Sequence, residues 1–362
     1  MRRGAAVVVA AACAWALACG GDPATGDDAG GDPIDASVDA PACDPDRPRA
    51  VAITGVTVGP ASGALEDRVV ALIDGATRSI DVQMYTFTLS RIADRLIAAD
   101  RRGAPVRVLL DGNQLDTTLR NRLTSGGVDV KLAPAGFTNA HAKYVVVDGD
   151  RLLIESGNFT VAGMSDQRNF AVEDRDPQDV ADAAAIFNAD WNGTTPTLSC
   201  SRLVVTPGDS RLRIQTLIAS ATTSLDLALY YLSDTAIRAA VMTAKNRGVA
   251  VRVMLDPDHE GNPDVRAQLT GAGVQVHDAP SRFEFSHAKF LIVDGDRAGV
   301  LSGNFNFGAY DDERNFGVTL TDVDDLADLQ AIFDADWTNA AEPDLSCTRL
   351  VVSPVNARTR II

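Results

Sequence analysis

Lysine and histidine are scarce in this chain of 362 residues, with four of each against 29 arginines. With a net charge of −16, that scarcity excludes binding of nucleic acid through bulk positive charge, while leaving room for a local basic cleft. Cysteine is nearly as rare. Of the five, Cys13 and Cys19 fall in the first twenty residues, and Cys43, Cys200 and Cys347 have spacings that fit neither a zinc site nor a Cys-x-x-Cys redox pair. One bridge and one free thiol is what three such cysteines allow in an exported chain, and the pairing stays open. Long apolar runs are missing beyond the extreme N-terminus.

What is present at that terminus reads as an export signal over residues 1–18. Arg2 and Arg3 precede "AAVVVAAACAWALA", a stretch too short for a comfortable membrane span and ending in small residues. The segment "ALAC" at Ala16–Cys19 resembles a bacterial lipobox, although Ala16 stands where a larger aliphatic residue is usual. Cys19 is therefore the expected lipidation site, with a plainly secreted chain or an uncleaved anchor as alternatives. Residues 19–49 are rich in Gly, Asp, Ala and Pro and lack the apolar residues that offset chain ordering, so they read as an acidic tether.

The remainder is a duplication at an offset near 146 residues. "SIDVQMYTF" at Ser79 returns as "SLDLALYYL" at Ser224, "RNFAV" at Arg168 as "RNFGV" at Arg314, and "AIFNADW" at Ala185 as "AIFDADW" at Ala331. Each unit alternates amphipathic helices with apolar strands, and "KYVVVD" and "RLLIE" form a hairpin turned at Gly149-Asp150. The expected fold is α/β, two tandem α-β-α sandwich domains over 50–200 and 201–362. The C-terminal "CTRLVVSPVNARTRII" echoes "CSRLVVTPGDSRLRIQ" and is read as a closing strand, truncation being the alternative.

Two of the four histidines and two of the four lysines sit in matched segments: His141 and Lys143, then His287 and Lys289. Residues two apart on a strand face one side, so each His-x-Lys pair faces one cleft. Ser156 with Asn158, and Ser302 with Asn304, repeat that spacing. An imidazole, an ammonium, a hydroxyl and a carboxamide from each unit suit a phosphoryl group. The lysines offset its charge, serine and asparagine donate hydrogen bonds, and histidine attacks or moves protons. A lone His-x-Lys would more often be an ordinary strand end. Two copies with matched downstream residues make that bland reading untenable.

These residues follow H-x-K-x4-D and end on S-x-N, as His141, Lys143, Asp148, Ser156 and Asn158, and again as His287, Lys289, Asp294, Ser302 and Asn304. The pattern resembles the HKD motif of the phospholipase D superfamily. The resemblance implies two domains about a pseudo-twofold axis with both motifs in one active site. It also implies a phosphohistidine intermediate, with His141 as nucleophile, His287 as acid and base, no cofactor and no metal. Lys143, Lys289, Asn158 and Asn304 would bind phosphate oxygens, while Asp148 and Asp294 would be structural. Two departures stand out. Glu155 and Leu301 occupy a position where that family usually has glycine, and Asn169 and Asn315 stand where a carboxylate often orients the histidine. An amide oxygen still accepts the imidazole N–H but stabilises imidazolium less.

Other residues carry weaker signals. His259, in "DPDHEGN", reads as loop chemistry rather than a metal ligand, and His277 as structural. Tyr85 and Tyr230 either line the cleft or pack in the core. The first functional expectation is hydrolysis or transphosphatidylation of a phospholipid headgroup at a membrane surface, giving phosphatidic acid, by a monomeric, exported, lipid-anchored enzyme. Behind it stand an exported nuclease or phosphodiesterase, disfavoured by the acidic charge. A cardiolipin synthase-like transferase is set back because no membrane spans follow the signal. A non-enzymatic binding scaffold is opposed by intact His and Lys in both motifs.

Overall fold

Alternating strand and helix signals become two mixed sheets, each layered with helices, in a computed structural model. It describes residues 55–58, 64–198, 201–341, 343 and 351–352. The export signal, the tether and all five cysteines lie outside the described residues.

The first repeat runs β1 (Gly55–Val58), α1 (Ala64–Asp74), β2 (Ile80–Met84), α2 (Ser90–Arg101), β3 (Val106–Leu110), α3 (Thr117–Gly126), β4 (Asp129–Leu132), β5 (Lys143–Val147), β6 (Arg151–Glu155), α4 (Val161–Ser165), β7 (Phe170–Asp174) and α5 (Pro177–Asn192). The second runs β8 (Val204–Thr206), α6 (Ser210–Ala219), β9 (Ser224–Leu229), α7 (Thr235–Asn246), β10 (Ala250–Leu255), α8 (Asn262–Gly271), β11 (Gln275–Asp278), β12 (Lys289–Val293), β13 (Arg297–Leu301), α9 (Phe307–Asp311), β14 (Asn315–Leu320) and α10 (Val323–Trp337), followed by β15 (Val351–Val352). Strand order is β15-β1-β7-β6-β5-β2-β3-β4 in one sheet and β11-β10-β9-β12-β13-β14-β8 in the other. The short β15 pairs in parallel with β1 at the edge of the first sheet.

Period-2 alternation decides which core each side chain joins. In β5, Val145 and Val147 face α1 to α3, whereas Tyr144 and Val146 face a central cluster fed by both repeats. That cluster holds Ile154, Phe170 and Phe187 from the first repeat and Phe290, Phe316 and Phe333 from the second. Tyr144 stacks on Phe316 at 4.1 Å and Phe170 meets Phe290 at 4.7 Å, so the repeats share one core. Asp mostly supplies the helix caps: Asp116, Asp176, Asp234 and Asp322 each accept from N–H groups of the first turn.

The hairpin turn differs by one residue from expectation. Asp148 and Gly149 are the positions with positive φ, 57° and 65°, and Asp150 donates back to the Val147 carbonyl. This Asp-Gly turn matches strand twist in the way a primed turn does.

Candidate active site

Both His-x-Lys segments open a strand at the middle of a sheet. β5 lies between β2 and β6, and β12 between β9 and β13, so neighbours on each side fix where the pair begins. His141 is buried, His287 half-buried, and Lys143 and Lys289 are 0% and 1% exposed.

Each histidine is held by the other repeat. His141 Nδ1 lies 2.8 Å from Asn315 Oδ1, and His287 Nδ1 lies 3.1 Å from Asn169 Oδ1. The amide orientations are fixed locally, because Asn169 Nδ2 donates to the Gly163 carbonyl at 2.9 Å and Asn315 Nδ2 to the Ala309 carbonyl at 3.2 Å. The oxygens therefore face the rings, and each Nδ1 must carry the proton. Each Nε2 is left with its lone pair, and the two motifs become parts of one site.

The "SGN" spelling follows from this arrangement. A Cβ on Gly157 would sit 3.0 Å from Asn169 Cγ, and one on Gly303 would sit 2.6 Å from Asn315 Cγ. Glycine lets the orienting amide approach the motif backbone.

Lys143 Nζ donates to the His141 carbonyl at 2.6 Å and Lys289 Nζ to the His287 carbonyl at 2.8 Å. An ammonium has three donors, and neither lysine forms an ion pair among the described residues. Burial brings the Lys143 ammonium down to about 7, against the pull of Glu313, Glu155 and Asp111. Burial and the charge of Lys143 hold Lys289 well below the ordinary lysine range. Burial and both lysines likewise lower His141 and His287. Positive charge is thus crowded and under-compensated in a dry site, a condition that an entering phosphate anion relieves.

Ser156 and Ser302 do not have the position expected of phosphate donors. Both are fully buried; their hydroxyls donate to Asn169 Oδ1 at 2.9 Å and Asn315 Oδ1 at 3.3 Å, and accept from the N–H of Phe170 and Phe316. With its single proton used there, each serine holds the asparagine that holds the histidine. Asn158 and Asn304 stay partly exposed. Asn158 Oδ1 accepts from Thr86 N–H at 3.2 Å, which leaves its amide N–H groups as the available donors.

Asp148 and Asp294 serve the turn. Asp148 accepts from the N–H groups of Thr77, Arg78 and Ser79, and Asp294 from those of Thr222, Thr223 and Ser224. Burial pushes the Asp148 carboxyl up, but these N–H bonds outweigh it and bring it down to about 2; Asp294 is lowered by the same balance. Each thereby ties the end of its motif strand to the start of β2 or β9.

Glu155 is 1% exposed, and neither carboxylate oxygen has a hydrogen-bond partner. The β5–β6 register, Tyr144 opposite Ile154, sets it across from Lys143. Burial pushes its carboxyl up to about 8, with Lys143 pulling the other way. A raised carboxyl is protonated in the fold and ionised in the unfolded chain between the ordinary glutamate value and pH 8, so stability falls as pH rises through that window. Glu155→Leu, the residue of the second repeat, is expected to stabilise the fold by about 1–3 kcal/mol more at pH 8 than at pH 5. Denaturant midpoints at the two pH values measure this, and equal gains at both would refute it.

The arginines of the repeated "RNF" were not singled out by sequence. Arg168 makes a two-point ion pair with Asp336 at 2.8 and 3.0 Å, and Arg314 one with Asp190 at 2.9 and 2.8 Å. Both pairs are buried and cross between repeats. Their signal was the recurrence of "RNF" and "ADW", legible as repetition but not as partnership.

Tyr85 and Tyr230 line the site: their rings meet His141 at 4.5 Å and His287 at 4.9 Å edge-on. His259 stacks on Tyr231 at 3.8 Å beside Tyr230, and His277 stacks on Trp337 at 3.8 Å as Lys131 lies over Trp191 in the first repeat.

Paired sandwiches with a histidine and a lysine of each copy in one composite site define a phospholipase D-like architecture. The profile described as "Cardiolipin synthase, PLD-like domain" matches twice, over residues 69–191 and 214–337, and the chain belongs to this family within the phospholipase D superfamily. The probable cardiolipin synthase YwiE of Bacillus subtilis is 24% identical over 71% of this chain and 61% of its own length. Cardiolipin synthase A of Pseudomonas aeruginosa is 26% identical over 70% and 60%. The chain therefore spans about three fifths of these curated relatives. Among solved structures, the phosphatidylserine synthase of Haemophilus influenzae superposes with a TM-score of 0.62, at 11% identity over 81% of this chain and 88% of that one, a likeness of fold.

Proposed function

We propose that the chain is a phosphatidyl transferase of the cardiolipin synthase kind, working through a phosphohistidine. The observation that carries the reading is the composite site: two imidazoles, each fixed through Nδ1 by the opposite repeat, beside two buried ammoniums. Lys143 and Lys289 would bind the phosphodiester oxygens, joined by the amides of Asn158 and Asn304. One Nε2 attacks phosphorus while the other, protonated, gives its proton to the departing alcohol. The second imidazole then takes the proton of an incoming hydroxyl, whose oxygen displaces histidine. Cardiolipin is a glycerol carrying two phosphatidyl groups, so the acceptor in this reading is phosphatidylglycerol.

This order reverses the one that the sequence suggested. Read from the sequence alone, hydrolysis to phosphatidic acid comes first. No helix among the described residues is long and apolar enough to cross a membrane. The site needs none to receive an alcohol in place of water, and the family match favours transfer. Sequence readings of an export signal, a lipidated Cys19, a tether and domains meeting near residue 200 fit an enzyme held at a membrane surface.

The test incubates the purified chain with phosphatidylglycerol vesicles and EDTA, alongside single- and double-stranded DNA. Cardiolipin and glycerol in equal amounts are expected. Phosphatidic acid alone would return the reading to hydrolysis, and nicked DNA with untouched lipid would overturn it.

A further inference from the structure

The two half-sites are alike except for what lies behind the orienting asparagines. Asn315 Nδ2 donates to Glu313 Oε2 at 3.3 Å as well as to the Ala309 carbonyl. At the equivalent place Asn169 Nδ2 meets Gln167 Oε1 at 3.5 Å as well as the Gly163 carbonyl. The geometry is repeated and the charge is not. Glu313 is pinned across the repeat boundary by Asn139 Nδ2 at 3.1 Å, a contact that Phe285 cannot supply to Gln167. His141 thus sits on a relay ending in a carboxylate, and His287 on one ending in an amide.

We propose that Glu313 sets the direction of the reaction: it keeps the mobile proton on His141, which acts as general acid, and so leaves His287 as the nucleophile. The inference rests on the two-histidine reading above and reverses the roles implied by family resemblance. Transfer needs a proton on one Nε2 only, and burial together with the charges of Lys143 and Lys289 disfavours a second. The ring with a carboxylate behind its partner holds that proton better.

The other groups facing the two rings do not undo this bias. Tyr85 and Tyr230 correspond, as do Asp111 and Asp256, each of which accepts the N–H of the residue before its histidine, Ala140 or Ser286. Asp258 and Glu260 lie on an exposed loop of the second half, where solvent screens them. Glu155 lies opposite Lys143 in the first half, so any charge it carries adds to the bias toward His141.

In the first step, the His287 Nε2 lone pair bonds to phosphorus and the bond to the leaving oxygen breaks. That oxygen takes the Nε2 proton of His141. Phospho-His287 keeps its Nδ1–H on Asn169. In the second step the acceptor hydroxyl gives its proton to His141 as its oxygen bonds to phosphorus, and the P–N electron pair returns to His287. Glu313 touches neither substrate nor reacting atoms; it is a positioning residue.

The experiment uses vesicles of phosphatidyl-p-nitrophenol, whose leaving group departs without a proton. His141→Ala is expected to give a burst of about one equivalent of p-nitrophenolate and stall, with the phosphatidyl group on the peptide containing His287 after an alkaline quench. His287→Ala is expected to give no burst. Peptide mapping of quenched wild-type enzyme provides the same answer without relying on a variant that folds. Glu313→Gln is expected to lower the pH at which kcat/KM falls on the alkaline side by about 0.5–1 unit. Combined with Gln167→Glu, it is expected to shift label toward His141. Label on His141 in the wild type would overturn the assignment while keeping the two-histidine mechanism. Turnover with no histidine labelled would overturn the mechanism itself.

Discussion

His141→Ala and His287→Ala are each expected to lower phosphatidyl transfer to a natural acceptor by about 10³–10⁴-fold or more, with binding of substrate little changed. The two rings act in sequence on one phosphorus, so losing either removes a step that the other cannot perform. Alanine leaves the supporting frame in place, since Asn315 and Asn169 still accept from Ser302 and Ser156 and still donate to the Ala309 and Gly163 carbonyls. The effect should therefore appear in kcat, with an unfolding transition close to that of the wild type. Retention of more than a tenth of the rate by either variant would sink the two-histidine account.

Asp336→Ala is expected to cost about 3–5 kcal/mol. Arg168 is 0% exposed, its guanidinium is bound at two points by Asp336, and arginine does not escape burial by losing its proton. Removing the carboxylate takes the two-point partner from a buried guanidinium and an ion-pair partner from Arg282 as well. The exposed pair Arg122–Asp94 sets the comparison, since its loss should cost less than about 1 kcal/mol. The consequence extends to chemistry: Arg168 immediately precedes Asn169, whose amide holds His287, and the Arg168 N–H bonds to the Phe285 carbonyl of the other repeat. Denaturant midpoints and transfer rates should fall together in Asp336→Ala. A midpoint within 1 kcal/mol of wild type would show that the pair does not hold the repeats.

Much of this architecture is written in local signals. The apolar run "VRVLL" forms the buried β3, and "LDTTLRNRLTSGG" holds α3, which Asp116 caps at one end and Gly127, at φ 108°, closes at the other. The pattern alone does not show the strands β7 and β14 or the one-turn helices α4 and α9. "RNFAV" and "RNFGV" carry no alternation, since their arginine and asparagine are buried in pairings with the other repeat.

The site was legible as an inventory and not as a connection. His141, Lys143 and their counterparts stood out by their rarity and repetition. That Asn315, 174 residues away, orients His141 is a fact of packing between repeats, beyond any spacing rule. The i, i+2 relation placed Ser156 and Asn158 on one side of the chain, but burial turned the serine hydroxyl toward Asn169 and left the asparagine partly open. Glu155 looked like a departure from a family glycine. Its meaning needed the register, which sets a buried carboxyl opposite a buried lysine in one half, with Leu301 in the same place in the other.

The central claim is that both motifs form one site acting through one covalent histidine. It is tested most directly by the stoichiometry of protein-bound phosphate after a rapid alkaline quench of enzyme mixed with labelled phosphatidylglycerol vesicles. The account predicts an acid-labile, alkali-stable adduct on histidine that saturates at one equivalent per chain. Two equivalents per chain would mean that each motif works alone. Full turnover with no adduct would mean that no phosphohistidine forms, and either result would contradict it.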